Sequence, residues 1–75
     1  MYLKELLNVL DGDTVICICD EMGPHTEVKP LKDISIKNLL WIIDRKVERV
    51  YFDPTDNSIT IELEDIDYEE GDNQN

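Results

Sequence analysis

Val47-Glu48-Arg49-Val50-Tyr51-Phe52-Asp53-Pro54-Thr55-Asp56-Asn57-Ser58-Ile59-Thr60-Ile61-Glu62-Leu63-Glu64 reads as one β-hairpin. Val50 and Phe52, then Ile59, Ile61 and Leu63, recur at every second position, the period of a strand with one buried face. Between the two runs, Pro54-Thr55-Asp56-Asn57 has the composition of a turn. Setting Phe52 opposite Ile59 brings Val50 opposite Ile61 on the inward face. The same register sets Arg49 opposite Glu62 on the other face, a favourable cross-strand pair. A slip of one residue loses both matches.

Working outward, the hairpin has an earlier counterpart. A shift of 33 residues lays Leu3-Lys4-Glu5-Leu6-Leu7-Asn8-Val9-Leu10-Asp11 over Ile36-Lys37-Asn38-Leu39-Leu40-Trp41-Ile42-Ile43-Asp44, and Cys17-Ile18-Cys19-Asp20 over Val50-Tyr51-Phe52-Asp53. Each half then reads as helix, strand, turn, strand. In the first helix, over residues 2–10, Leu3, Leu6, Leu7 and Leu10 form one apolar stripe, and Gly12 supplies a left-handed terminator. The second is predicted over residues 36–45, with Ser35 as N-cap, Ile34 as a staple onto Leu39, and Ile36, Leu39, Leu40 and Ile43 as its stripe. By the repeat, the first hairpin joins residues 14–20 to residues 25–29 through Glu21-Met22-Gly23-Pro24. Pro30 cannot donate to a ladder, so that return strand is short or at an edge.

The expected fold class is α+β, an α-β-β-α-β-β internal repeat. The expected architecture is a four-stranded, mostly antiparallel sheet with both helices on one face, in a single domain over residues 1–68. The strand order stays open. Following the repeat, Cys17 and Cys19 are placed inward beside Val15 and read as reduced, small buried hydrophobes. Ile16, Ile18 and Tyr51 then fall on the outer face. Residues 69–75 read as an acidic disordered tail.

Charge separates the two ends of the chain. The formal net charge is −11 over 75 residues, and the last 25, from Tyr51 to Asn75, hold nine acids and no base. Glu62, Glu64, Asp65, Asp67, Glu69 and Glu70 form the candidate acidic face, which selects basic partners. Spaced carboxylates on a rigid strand can imitate a row of phosphates; the plainer reading is a solubilising run that protects an edge. Direct nucleic-acid binding is disfavoured by repulsion. The second candidate is a contact patch of Ile16, Ile18 and Tyr51, which either pairs with a second copy or is covered by Ile66 and Tyr68. Trp41, between Lys37 and Arg45 at four-residue spacings, either packs half-buried against them or serves as an anchor.

No constellation of catalytic residues is visible. His25 is the sole histidine and reads as a turn residue after Pro24. With Cys17 and Cys19 alone for company it cannot complete a metal site. Asp53-Pro54-Thr55-Asp56-Asn57 lacks the glycine and distal glutamate of a calcium loop. Gly12, Gly23 and Gly71 form no phosphate-binding loop, and carboxylate pairs in so acidic a chain are uninformative. A non-enzyme without cofactor or metal is expected. The sequence contains no membrane-length apolar run and its opening lacks the apolar core of a secretory signal, so the expected location is cytoplasmic.

Leu3-Lys4-Glu5-Leu6-Leu7, Asp11-Gly12-Asp13-Thr14-Val15 and Cys19-Asp20, with Val47-Glu48-Arg49-Val50-Tyr51 and Ser58-Ile59-Thr60-Ile61-Glu62-Leu63, resemble small acidic accessory proteins of Gram-positive phages and other mobile elements. The resemblance spans residues 1–63 and carries no residue-specific motif. It implies an accessory role; some such proteins inhibit host defence systems, in certain cases by mimicking DNA. The expected function is therefore a non-enzymatic acidic protein that docks on a basic, nucleic-acid-binding protein. The alternative is a self-associating structural module, a homodimer through the outer sheet face.

Overall fold

A computed structural model describes residues 1–65. Asp67, Glu69 and Glu70 of the expected acidic face, Ile66 and Tyr68 as a cover, and the expected tail over residues 69–75 lie outside the described residues.

The protein is α+β, with helices α1 (Leu3–Val9) and α2 (Ile36–Leu40) and strands β1 (Val15–Asp20), β2 (Gly23–Pro24), β3 (Lys29–Pro30), β4 (Val47–Asp53) and β5 (Ser58–Leu63). The order across the sheet is β2-β1-β5-β4, with β3 also on β1. The sheet is mixed rather than mostly antiparallel, because β1 and β5 run parallel, with Ile16 beside Ile59 and Ile18 beside Ile61. The second hairpin has the register expected from its alternation: Arg49 faces Glu62, Val50 faces Ile61 and Phe52 faces Ile59. A bulge lies between Val47 and Arg49.

Five strands form rather than four because the return strand of the first hairpin is split. The β1–β2 turn is tighter than expected: Asp20 pairs with Gly23, leaving Glu21-Met22 as the loop. Gly23 there takes φ +115, a conformation strained for any side chain. β3 rejoins β1 at Lys29 opposite Ile16 and Pro30 opposite Val15. Between these pairings the return segment carries two residues more than β1, so it bows away. Thr26 repairs the gap: its Oγ1 accepts from the buried Ile18 amide at 3.1 Å.

The face chosen by β1 is the main correction. Ile16 and Ile18 are fully buried, with Leu3, Ile34, Ile42, Ile61 and Leu63, while Cys17 and Cys19 occupy the opposite face beside Thr60 and Glu62. Isoleucine removes more apolar area from water than cysteine, and the parallel pairing to β5 puts Ile16 and Ile18 on the face that Ile61 already buries. The halves therefore do not share one burial pattern. Leu3 is buried, whereas its counterpart Ile36 is exposed.

Leu3 of α1 and Ile42, just past α2, enter the same cluster, so both helical segments cover that face. α2 is five residues long instead of ten. Ser35 caps it, its Oγ accepting from the Lys37 amide at 3.2 Å. It gives way to turns over residues 41–44, with Ile42 N donating to Leu39 O at 2.9 Å and Arg45 N to Ile42 O at 3.0 Å, and the carbonyls beyond it serve another helix: Leu3 N donates to Arg45 O at 2.8 Å and Lys4 N to Ile43 O at 3.0 Å. These bonds fill the first unsatisfied amides of α1. Of the expected stripe, Leu39 and Ile43 are half-buried and Ile36 and Leu40 exposed, while Ile42, outside that stripe, is fully buried. Gly12 is not left-handed; Leu10 closes α1 in an extended conformation.

Candidate functional site

Asp20, the last residue of β1, ties its own hairpin to the segment after α2. Its Oδ2 accepts from Arg45 Nη1 at 2.9 Å and lies 2.8 Å from His25 Nε2, while its Oδ1 accepts from the Met22 amide at 2.8 Å. The Asp20 side chain is 4% exposed, Arg45 13% and His25 14%, so the cluster is largely withdrawn from water. Burial alone opposes ionisation of Asp20. The hydrogen bonds from His25, Arg45 and the Met22 amide prevail and hold its carboxyl at about 2. Arg45 also donates from Nη2 to the Glu64 carbonyl at 2.6 Å, tying the end of β5 to the end of β1.

His25 is thus no simple turn residue. Trp41, the C-cap of α2, stands edge-on to its ring with centroids 5.3 Å apart and planes at 87°. Trp41 does not sit between Lys37 and Arg45, because Arg45 is turned inward to Asp20; it remains largely exposed. Asp20 and His25 flank one turn, five residues apart, but Arg45 lies 25 residues from Asp20, and the three share no motif. The available signal was an arginine two residues beyond the apolar Ile42-Ile43 pair, in a position that cannot stay buried without a carboxylate.

This cluster fixes the end of the sheet where acid collects. A cleft of about 210 Å³ is lined by Cys19, Asp20, Glu21, Glu48, Glu62, Leu63 and Asp65. Five of these seven carry carboxylates. Glu21 and Asp65 approach so closely that a carboxyl–carboxyl hydrogen bond pushes the exposed Glu21 up. The expected acidic residues divide three ways. Asp65 is exposed at this rim and Glu64 is exposed without lining the cleft; Glu62 is half-buried and used within the molecule; Asp67, Glu69 and Glu70 lie outside the described residues. Glu62 accepts from Arg49 Nε at 2.7 Å and from the Tyr51 hydroxyl at 3.1 Å, the latter holding the phenol protonated above its usual range. Glu21 and Glu48 belong to the rim although the charge run did not include them; they arrive from the β1–β2 loop and the β4 bulge.

The expected outer contact patch is broken up. Ile16 and Ile18 are interior and unavailable as contacts, while Tyr51 remains on the surface. On the face opposite the helices, burial and the carboxylates of Asp56 and Asp53 push the Cys17 thiol up. Burial, Cys17, Glu62 and Asp20 do the same to Cys19. Both thiols are free, and among the described residues no group of three or more His, Cys, Asp or Glu could hold a metal ion. A larger cleft of about 430 Å³ runs past His25, Thr26, Lys29, Asp33, Ser35 and Asn38. Its Thr26 and Ser35 hydroxyls are already accepting backbone amides. No described helix is long and apolar enough to cross a membrane.

Comparison with known proteins finds no matching family model, no matching curated protein and no matching solved structure.

Proposed function

We propose that this chain is a non-enzymatic binding protein that docks its acidic rim on the basic surface of a protein partner. The observation that carries this reading is the convergence of Asp20, Glu21, Glu48, Glu62 and Asp65 on one cleft. The two arginines beside it, Arg45 and Arg49, are already committed to Asp20 and Glu62. Among the described residues five of the seven bases are ion-paired, which leaves nine of fourteen carboxylates without a cation. The Arg45 bonds to Asp20 and to the Glu64 backbone hold the rim in place before any partner arrives, so little ordering entropy opposes docking. A lysine or arginine entering the cleft would relieve the repulsion between Glu21 and Asp65. The resemblance to phage accessory proteins supports a nucleic-acid-binding partner, whose basic groove suits spaced carboxylates.

The test is titration of an arginine-rich peptide at low and high salt. Affinity should fall by roughly tenfold or more as the ionic strength rises past the point where the Debye length is shorter than the rim. Reversing Glu21 and Asp65 to lysine should abolish binding, while reversing Asp11 and Asp33, the same change in net charge elsewhere, should not. Equal losses from both pairs would reduce the effect to net charge and overturn the rim as a site.

A further inference from the structure

Among the described residues β4 is the last strand of the sheet, and none pairs with its outer side beyond Val47. Natural edges are usually blunted by lysine, proline, bulges or a cover. Here those devices guard only the start of the strand. Val47 N donates to Met1 O, Tyr2 bridges Lys46, and the bulge lies between Val47 and Arg49. From Arg49 to Asp53 the strand is regular, and Val50, Tyr51 and Phe52 are 45%, 44% and 57% exposed.

We infer that this five-residue edge is built to pair with a second copy of itself, joining two sheets into one. A two-fold antiparallel pairing in a continuous sheet keeps faces matched only when it is centred on a residue. Centred on Val50, it would press Glu48 against Phe52. Centred on Phe52, it would set Val50 against Pro54, which has no amide to donate. Centred on Tyr51, every pair agrees. Tyr51 meets Tyr51 of the second copy, Val50 meets Phe52 on the helix face, and Arg49 meets Asp53 on the other. Arg49 spends only its Nε on Glu62 among the described residues, so its terminal nitrogens remain to reach Asp53. The pairing uses residues 49–53 of both copies and stops short of the Met1–Tyr2 cover. The occupant is a second copy because the segment is self-complementary in shape, polarity and charge at once. This inference does not depend on the acidic rim.

Charge swapping tests it with the intact protein. Sedimentation at high micromolar concentration should give the dimer mass. Arg49→Asp alone sets acid against acid across the two-fold, and Asp53→Arg alone sets guanidinium against guanidinium; each should sediment as a monomer. Mixed in equal amounts, the two variants restore both ion pairs and should return to the dimer mass. Circular dichroism of each variant checks that it is folded. A wild-type monomer at that concentration, single variants that dimerise like the wild type, or folded variants that stay monomeric when mixed would each overturn the proposal. A wild-type monomer would leave the edge for a strand of another protein.

Discussion

Asp20 shows what one side chain can do when three neighbours converge on it. Its carboxyl titrates at about 2 against an ordinary 3.8. A depressed folded value means that stability is fully present above the ordinary value and is lost as pH falls through about 2. The difference corresponds to about 2 kcal/mol. Asp20→Asn should cost about 3 kcal/mol at neutral pH, since Arg45 is left buried without its counter-charge. The gap between variant and wild type should narrow as pH falls from about 4 towards about 2. Urea denaturation across that range measures both, and a gap independent of pH would contradict the assigned role. None of this was legible in the sequence. Asp20, His25 and Arg45 are each unremarkable locally, and only the folded chain brings them together.

At the scale of elements, legibility follows the strength of local pattern. The register of the β4–β5 hairpin could be read because its apolar and polar residues alternate and its turn has its own chemistry, but the burial expected of Val50 and Phe52 does not follow, since β4 lies at the edge and both are exposed. β1 could not be faced correctly, because Val15-Ile16-Cys17-Ile18-Cys19 is apolar at every position and the period of two disappears. The repeat then carried the facing of Val50 and Phe52 onto Cys17 and Cys19, where packing overrules it. α2 is shorter than its apolar spacing predicts: turns replace the helix after Leu40, and the Ile43 and Arg45 carbonyls beyond it accept from α1, long-range bonds without a local trace. Of the acidic site, Glu62 and Asp65 belong to the charge run legible in the sequence; Glu21 and Glu48 come from a turn and a bulge. The split return strand offers its own test. Thr26→Val keeps the shape but leaves the Ile18 amide buried without an acceptor, at a cost of about 1–3 kcal/mol. Thr26→Ser keeps the oxygen and should lose much less. Thermal unfolding ranks the two, and amide exchange at Ile18 should accelerate only in the valine variant.

For the whole molecule, electrostatics oppose compactness. The net charge of −11 is carried by a chain of 75 residues, and most of its ion pairs are at the surface. Exposed pairs contribute about 0–1 kcal/mol each and weaken in salt, but the unpaired carboxylates repel one another over a longer range. Added monovalent salt should therefore raise the melting temperature from low to moderate concentration. The Asp20–Arg45 contact, shielded from solvent, should hardly respond. Calorimetry over a salt series decides; a steady fall would mean that the surface pairs outweigh the repulsion.

The parallel contact between β1 and β5 also governs the order in which this molecule can be assembled. Translation delivers β5 after every other described strand, yet β5 lies between β1 and β4 in the finished sheet. A nascent chain halted before Ser58 holds β4 apart from β1 and its partners β2 and β3, and Ile16 and Ile18 lack their neighbours Ile59 and Ile61. Folding must wait for the last of these strands to emerge from the ribosome, and in that interval the interior is exposed to chaperones.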